Sequence, residues 1–216
     1  MYPALYEVND MGLIREIRQV TKNRFLNFFE LSTVKKTGDP GKYFLASRAE
    51  SIDDLEIRRK KTRADGVAMY VLCGKEHDKV LLIRQFRWPI GAYVYEFPAG
   101  LVENGETYEK AAVREIYEET GLDMKPLAAD PMYTRPYYMT DGMTDESCAM
   151  VYGYAEDDDH ARQHLEDSEE ITVVIADRDE VRRILREERV AENAALQLMH
   201  FVHDPDPFGF LNEAGK

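Results

Sequence analysis

Gly100 to Leu122 reads GLVENGETYEKAAVREIYEETGL, and its middle has the marks of a helix. Thr107 suits the N-cap and Gly121 the left-handed cap that ends it. That helix carries Glu118 and Glu119 in its last turn and Glu115 one turn earlier. Carboxylates there face the negative end of the helix macrodipole, which costs about 0.3–1 kcal/mol apiece when exposed. At about 100° per residue the three glutamates share one face, so their carboxylates converge. Ala112 and Ile116 point to a different face and can pack on a sheet. Clustered like charges raise one another's proton affinity unless a cation lies among them. A hard divalent cation with an oxygen shell, Mg2+ above all, is the natural partner, and it shares its remaining positions with water and substrate phosphates.

The rest of the chain sets the frame for that cluster. A length of 216 residues fits one ordinary domain plus an appendage. The composition, 44% hydrophobic and 32% charged, is that of a folded globular protein. No apolar run approaches the ~20 residues of a membrane span. The N-terminus has no uninterrupted apolar stretch of the signal-peptide kind, so the expected location is the cytoplasm. Cys73 and Cys148 lie in apolar, strand-like runs and read as reduced thiols. Net charge is −13, with acidic runs at Glu156 to Asp159 and Glu166 to Glu170 and no basic counterpart. Nucleic-acid binding rests on lysine and arginine neutralising phosphates, so this balance speaks against it. An anionic substrate must be held by a few local cations or by metal.

Residues 15 to 60 contain the short β segments REIRQVT, RFLNFFELSTVKK and KYFLASRAE, the last two separated by the turn signal TGDPGK. They read as a small antiparallel element over 1–61, ahead of a main domain over 62–216. In the main domain, GVAMYVLC, KVLLIRQF and AYVYEF are buried-strand candidates, with a hairpin-type break at GKEHDK. Past the glutamate helix come apolar runs at Ala149 to Ala155 and Ile171 to Ala176, then the helical stretches DEVRRILREE and AENAALQLMHFVH. Strands with helices between and after them predict an α+β or mixed α/β sandwich.

Gly100, Glu106, Arg114, Glu115, Ile116, Glu118, Glu119, Gly121 and Leu122 fit one spaced pattern: G, five residues, E, seven residues, then R-E-U-x-E-E-x-G-U, with U bulky and apolar. At typical frequencies of about one in fifteen per position, a chance match of all nine lies far below about one in a million. The stretch resembles the Nudix box. The resemblance implies a mixed α/β/α sandwich, and a hydrolase of nucleoside diphosphates linked to another moiety that uses Mg2+ or Mn2+. It makes Glu115, Glu118 and Glu119 metal ligands with the Ala99 carbonyl as a fourth, and has Arg114 orienting the glutamates. Glu106 then braces the loop at the helix start.

ADGVAMYVL, LIRQFRWP and EFPAGLVENGET are similar to the ADP-ribose pyrophosphatase branch, where an RQFR-type strand precedes an E-x-PAG run. Arg84 and Arg87 are candidate forks for a diphosphate, and Glu96 joins them as a substrate-binding candidate. EDSEEITVV is similar to the branch's acidic loop, which supplies the base acting on the attacking water. Glu169 takes that place, with Glu166 and Glu170 as alternatives. By the same analogy the β element exchanges between subunits of a homodimer. Phe28, Phe29, Tyr43 and Phe44 are candidates either for stacking the nucleobase or for packing. In TRPYYMTDGMTDES, Pro136 and Gly142 stand apart where relatives often pair them. The expected activity is cleavage of ADP-ribose, or a close nucleoside diphosphate sugar, to a nucleoside monophosphate and a sugar phosphate. The rivals are a GDP- or UDP-sugar pyrophosphatase, a nucleotide-sugar sensor without turnover, and an RNA-decapping enzyme, the last disfavoured by the charge.

Overall fold

A computed structural model of the chain describes residues 6–8, 12–59, 63–156, 163–165 and 170–213. These residues divide into two compact units. One takes the described residues up to Ala64 together with Pro136–Cys148, the other those of Asp65–Arg135 and Ala149–Lys216. The sequence expectation divides the chain once, after residue 61, whereas here Pro136–Cys148 also belongs to the first unit.

In the first unit, β1 (Tyr6–Val8), β2 (Gly12–Gln19), β3 (Asn27–Val34) and β4 (Pro40–Ser47) form an antiparallel sheet in that order. Side chains alternate across a strand, so β3 sends Phe29 and Leu31 to one face. There they bury with Leu45, Ala49 and Leu55 beneath two short 3-10 turns at Ile52–Asp54 and Glu56–Arg58. Phe29 is therefore a core residue. Phe28 and Phe44, on the other face, are exposed and stack with ring centroids 5.5 Å apart. The segment at 136–148 attaches to the β4 edge. Ala46 N donates to Met143 O at 3.0 Å, the Tyr43 hydroxyl to Gly142 O at 2.6 Å, and Arg48 pairs with Glu146 at 2.9 Å. Within it, β10 (Tyr137–Tyr138) pairs with Ser147 and Cys148, the first residues of β11 (Ser147–Ala155).

The second unit is built on β11, β5 (Gly66–Cys73), β6 (Lys79–Arg87) and β12 (Ile171–Ala176), adjacent in that order. β7 (Ala92–Glu96) pairs with β6, β8 (Ala99–Leu101) with β5, and β9 (Met124–Pro126) with β11. Every residue from Val67 to Cys73 is at most 2% exposed, so both faces of the sheet are covered. One side chain set, Tyr70, Leu72, Val80 and Leu82, packs with Val181 and Ile184 of α3 (Arg178–Glu187) and with Leu198 and Phe201 of α4 (Glu192–His203). Alternation sends Met69 and Val71 to the other face. The glutamate helix lies there, packing along β5, β8, β9 and β12. It spans Tyr108–Thr120 and is α1; the single turn at Pro131–Thr134 is α2. Helices on both faces of the sheet give the α/β/α arrangement expected, beside a small antiparallel N-terminal element. Among the described residues no helix is long and apolar enough to cross a membrane.

Ala112 and Ile116 are fully buried, as their spacing requires. Truncating Ile116 to alanine removes buried methyl groups and leaves a cavity, so the expected loss is about 2–5 kcal/mol. A urea titration checks this: the midpoint should fall with an unchanged slope.

Candidate active site

Strand β8 and helix α1 set the geometry. Thr107 Oγ1 accepts from Lys110 N at 3.4 Å, and Gly121 ends the helix at φ +73°, donating to Tyr117 O at 2.9 Å. Both caps fall where the sequence puts them. The buried face through Ala112 and Ile116 fixes the rotation of α1 about its axis, so its last turn lies beside β8. There Glu119 is nearly buried, and its Oε2 accepts from Ala99 N at 3.2 Å. Glu115 lies against Gly100 so closely that a Cβ on that glycine would fall on the carboxylate. The glycine keeps the floor of the site bare so that Glu115 can occupy it.

Arg114 ties the cluster together. Its Nη1 donates to Glu115 at 2.7 Å and to Glu118 at 3.1 Å. Its Nη2 reaches Leu101 O at 3.0 Å, and Nε and Nη2 form a fork on Glu106 at 3.2 and 3.0 Å. The guanidinium, pushed further up by Glu106 first and then by Glu115, stays charged at any accessible pH. Glu106 also accepts from Glu103 N at 3.1 Å, which is the bracing role expected of it. The bond from Arg114 holds its carboxyl below the usual range. A lowered folded-state pKa means that the brace stands in full above the ordinary carboxylate range and is lost as pH falls through the lowered value.

The three glutamates thus share one helix end but not one orientation. Glu115 and Glu119 turn to the β8 backbone, while Glu118 stands more open against Arg114. Among the described residues, no three acidic, histidine or cysteine side chains are spaced to grip an ion as they stand. Arg114 supplies the positive charge that such a cluster requires. The donor set is nonetheless all carboxylate oxygen, with a backbone cradle at Ala99 and Gly100, and this chemistry suits a hard divalent cation.

The substrate candidates separate by face. Arg84 and Arg87 are three apart on β6, so they project to opposite sides of the sheet. Arg87 lies on the α1 side with Glu96, and the two are joined by a bidentate pair at 2.7 and 2.8 Å. Arg84 lies on the α3 side, its guanidinium 3.9 Å from the centre of the Tyr93 ring. The Tyr93 hydroxyl donates to Glu170 in a short bond. Glu169 and Glu166 lie outside the described residues.

Three residues that the sequence did not single out also meet the site. Gln163 Nε2 donates to Glu119 O at 2.6 Å, His164 N to Glu118 O at 2.7 Å, and the His164 ring stacks on Tyr117 at 5.4 Å. The last carbonyls of a helix have no partner within it, and these bonds satisfy two of them. Neither Gln163 nor Tyr93 carries a periodic or spaced signature that would have marked it.

Known proteins bear on this geometry. Residues 62–207 match the NUDIX domain. The chain is 48% identical over 65 residues to an ADP-sugar pyrophosphatase of Mus musculus, covering 29% of this chain and 30% of the mouse protein. It is 32% identical over 100 residues to an ADP-ribose pyrophosphatase of Bacillus subtilis (strain 168), covering 44% of this chain and 52% of that one. The matched segments thus span between about a third and a half of those two relatives. A crystal structure of an ADP compounds hydrolase shares the fold, with a TM-score of 0.61 at 18% identity over 91% of this chain and 95% of that one. The domain match covers more than half of the chain and takes in the whole of α1 with its glutamates, so the protein belongs to the Nudix family.

Proposed function

We propose that the protein is a pyrophosphohydrolase that cleaves ADP-ribose, or a close nucleoside diphosphate sugar, to a nucleoside monophosphate and a sugar phosphate. Nudix hydrolases use a divalent metal, and here Mg2+ is the proposed ion with Mn2+ as a substitute. The observation that carries the reading is the last turn of α1, where Glu115, Glu118 and Glu119 are gathered around one arginine against a bare backbone cradle. Relatives named for ADP-sugar and ADP-ribose support an adenine nucleotide substrate.

Glu115, Glu118, Glu119 and the Ala99 carbonyl would hold the ion. When bound, it would neutralise the diphosphate and make a water acidic enough to attack at neutral pH. Arg114 keeps the glutamates in place. Arg87, oriented by its pair with Glu96, meets a diphosphate oxygen on the α1 side by sharing its donors. Arg84 is proposed to meet substrate too, although its place over Tyr93 leaves it on the other face of β6. Glu169 takes the proton as the water oxygen bonds to phosphorus. The bridging P–O bond breaks, and the departing phosphate carries off its electron pair. A homodimer formed through the N-terminal element and a cytoplasmic location complete the proposal.

Hydrolysis of ADP-ribose, GDP-mannose, UDP-glucose and a dinucleotide, each with and without Mg2+, tests the reading. ADP-ribose should be turned over fastest and only with metal; activity confined to a hexose nucleotide would remove it from the claim. Glu169→Gln is expected to lower kcat by about 10²-fold, the scale of a general base, with KM little changed. An unchanged rate would move the base to another residue.

A further inference from the structure

The β11–β12 connection holds three described stretches, Glu156, 163–165 and Glu170, and the last two are attached to the part of the second unit that carries the chemistry. At 163–165, Gln163 and His164 fasten to the carbonyls of Glu119 and Glu118, the residues whose side chains are the proposed metal ligands. The stacking of His164 on Tyr117 adds a contact from the same turn. At the other end, Glu170 precedes β12 directly and accepts from the Tyr93 hydroxyl, while the Tyr93 ring lies under Arg84. β12 then continues in register with β6, Ile171 opposite Gln85 and Thr172 opposite Arg84. Two attachments of unrelated chemistry therefore flank the acidic run.

We propose that Gln163, His164, Tyr93 and Glu170 are positioning residues, the first two for the last turn of α1 and the other two for the start of β12, and that Glu170 is a tether, not the base. The inference rests on the proposed hydrolase reading and extends it. Glu170 is one of three acidic candidates, but its carboxylate is committed to the Tyr93 phenol, whose ring lies under Arg84 on the α3 side of the sheet. A base must reach a water beside the glutamates. Hydrogen bonding to Glu170 also raises the Tyr93 phenol above its ordinary value, so the hydroxyl stays a donor at neutral pH. At the other end, the amide of Gln163 acts on the backbone of the ligand turn and leaves its carboxylates alone. Neither attachment supplies a reacting group.

The test uses the full chain with ADP-ribose and Mg2+. Tyr93→Phe keeps the ring under Arg84 and removes only the hydroxyl; Glu170→Gln and Gln163→Ala remove the other partners. Each is expected to lower kcat by about tenfold, the scale of lost supporting hydrogen bonds at a metal site. KM should stay within about twofold, and both limbs of the pH profile should keep their positions. Tyr93→Phe combined with Glu170→Gln should be no worse than either alone. Loss of the acidic limb in Glu170→Gln would make that residue the base and overturn the proposal, as would unchanged kcat in all three variants. A substrate-free readout separates this from the hydrolase reading. Hydrogen exchange at the His164 amide should speed up in Gln163→Ala, and that at the Ile171 amide in Tyr93→Phe. Unchanged exchange at both would overturn the positioning roles even in an active enzyme. An inactive wild type with the exchange changes present would sink the substrate reading instead.

Discussion

Replacing Glu118 with glutamine is expected to cut Mg2+-dependent hydrolysis of ADP-ribose by about 10³-fold, because a metal's stabilisation of the transition state amounts to several kcal/mol and each 1.36 kcal/mol is tenfold. Stability should hardly move. Glu118 is the most open of the three glutamates, and its pair with Arg114 is of the surface i,i+4 kind, which contributes at most about 0.5 kcal/mol. Glutamine still offers an oxygen to the guanidinium, and it takes a negative charge away from the negative end of α1. The measurement is kcat against Mg2+ concentration beside a urea melt of the same sample. A variant that melts like the wild type and works like it would remove Glu118 from the ligand set.

Gly100→Ala should nearly abolish activity by a different route. The added methyl group needs the space that the Glu115 carboxylate fills. A carboxylate at the end of a flexible side chain can swing aside, so folding is expected to tolerate the change. The swing, however, carries a proposed ligand about an ångström or more from its place, and misplacement of that size costs about 10²-fold. The contrast with Gly153 is the control. A Cβ there meets the Lys125 backbone oxygen at 2.7 Å, which cannot swing, so Gly153→Ala should destabilise the fold instead. Turnover and melting temperature of the two variants, read side by side, separate loss of site from loss of fold.

What the sequence made legible is what local rules govern. The caps of α1, its buried face through Ala112 and Ile116, and the long strands of both sheets follow from capping chemistry and periodicity. The strands β8 and β9, three residues each, are too short to show a period, although β8 carries the floor of the site. The placement of Pro136–Cys148 depends on partners such as Ala46, Tyr43 and Arg48, far away in the chain, and no window of sequence contains both sides. Gln163 and Tyr93 escaped notice for the same reason. The two-residue period of a strand already separates Arg84 from Arg87, three apart on β6. The glutamate cluster was legible because its spacing breaks the preferences of an isolated helix, a conflict that function explains.

The assignment of Pro136–Cys148 to the first unit has a practical corollary. The two units are interleaved along the polypeptide, so no single cut frees the second unit alone. A protein trimmed to start at Asp65 would retain Met143, Gly142 and Glu146 while discarding Ala46, Tyr43 and Arg48, which they engage. Minimal versions for crystallisation or screening should therefore keep the amino-terminal sheet or excise both pieces together.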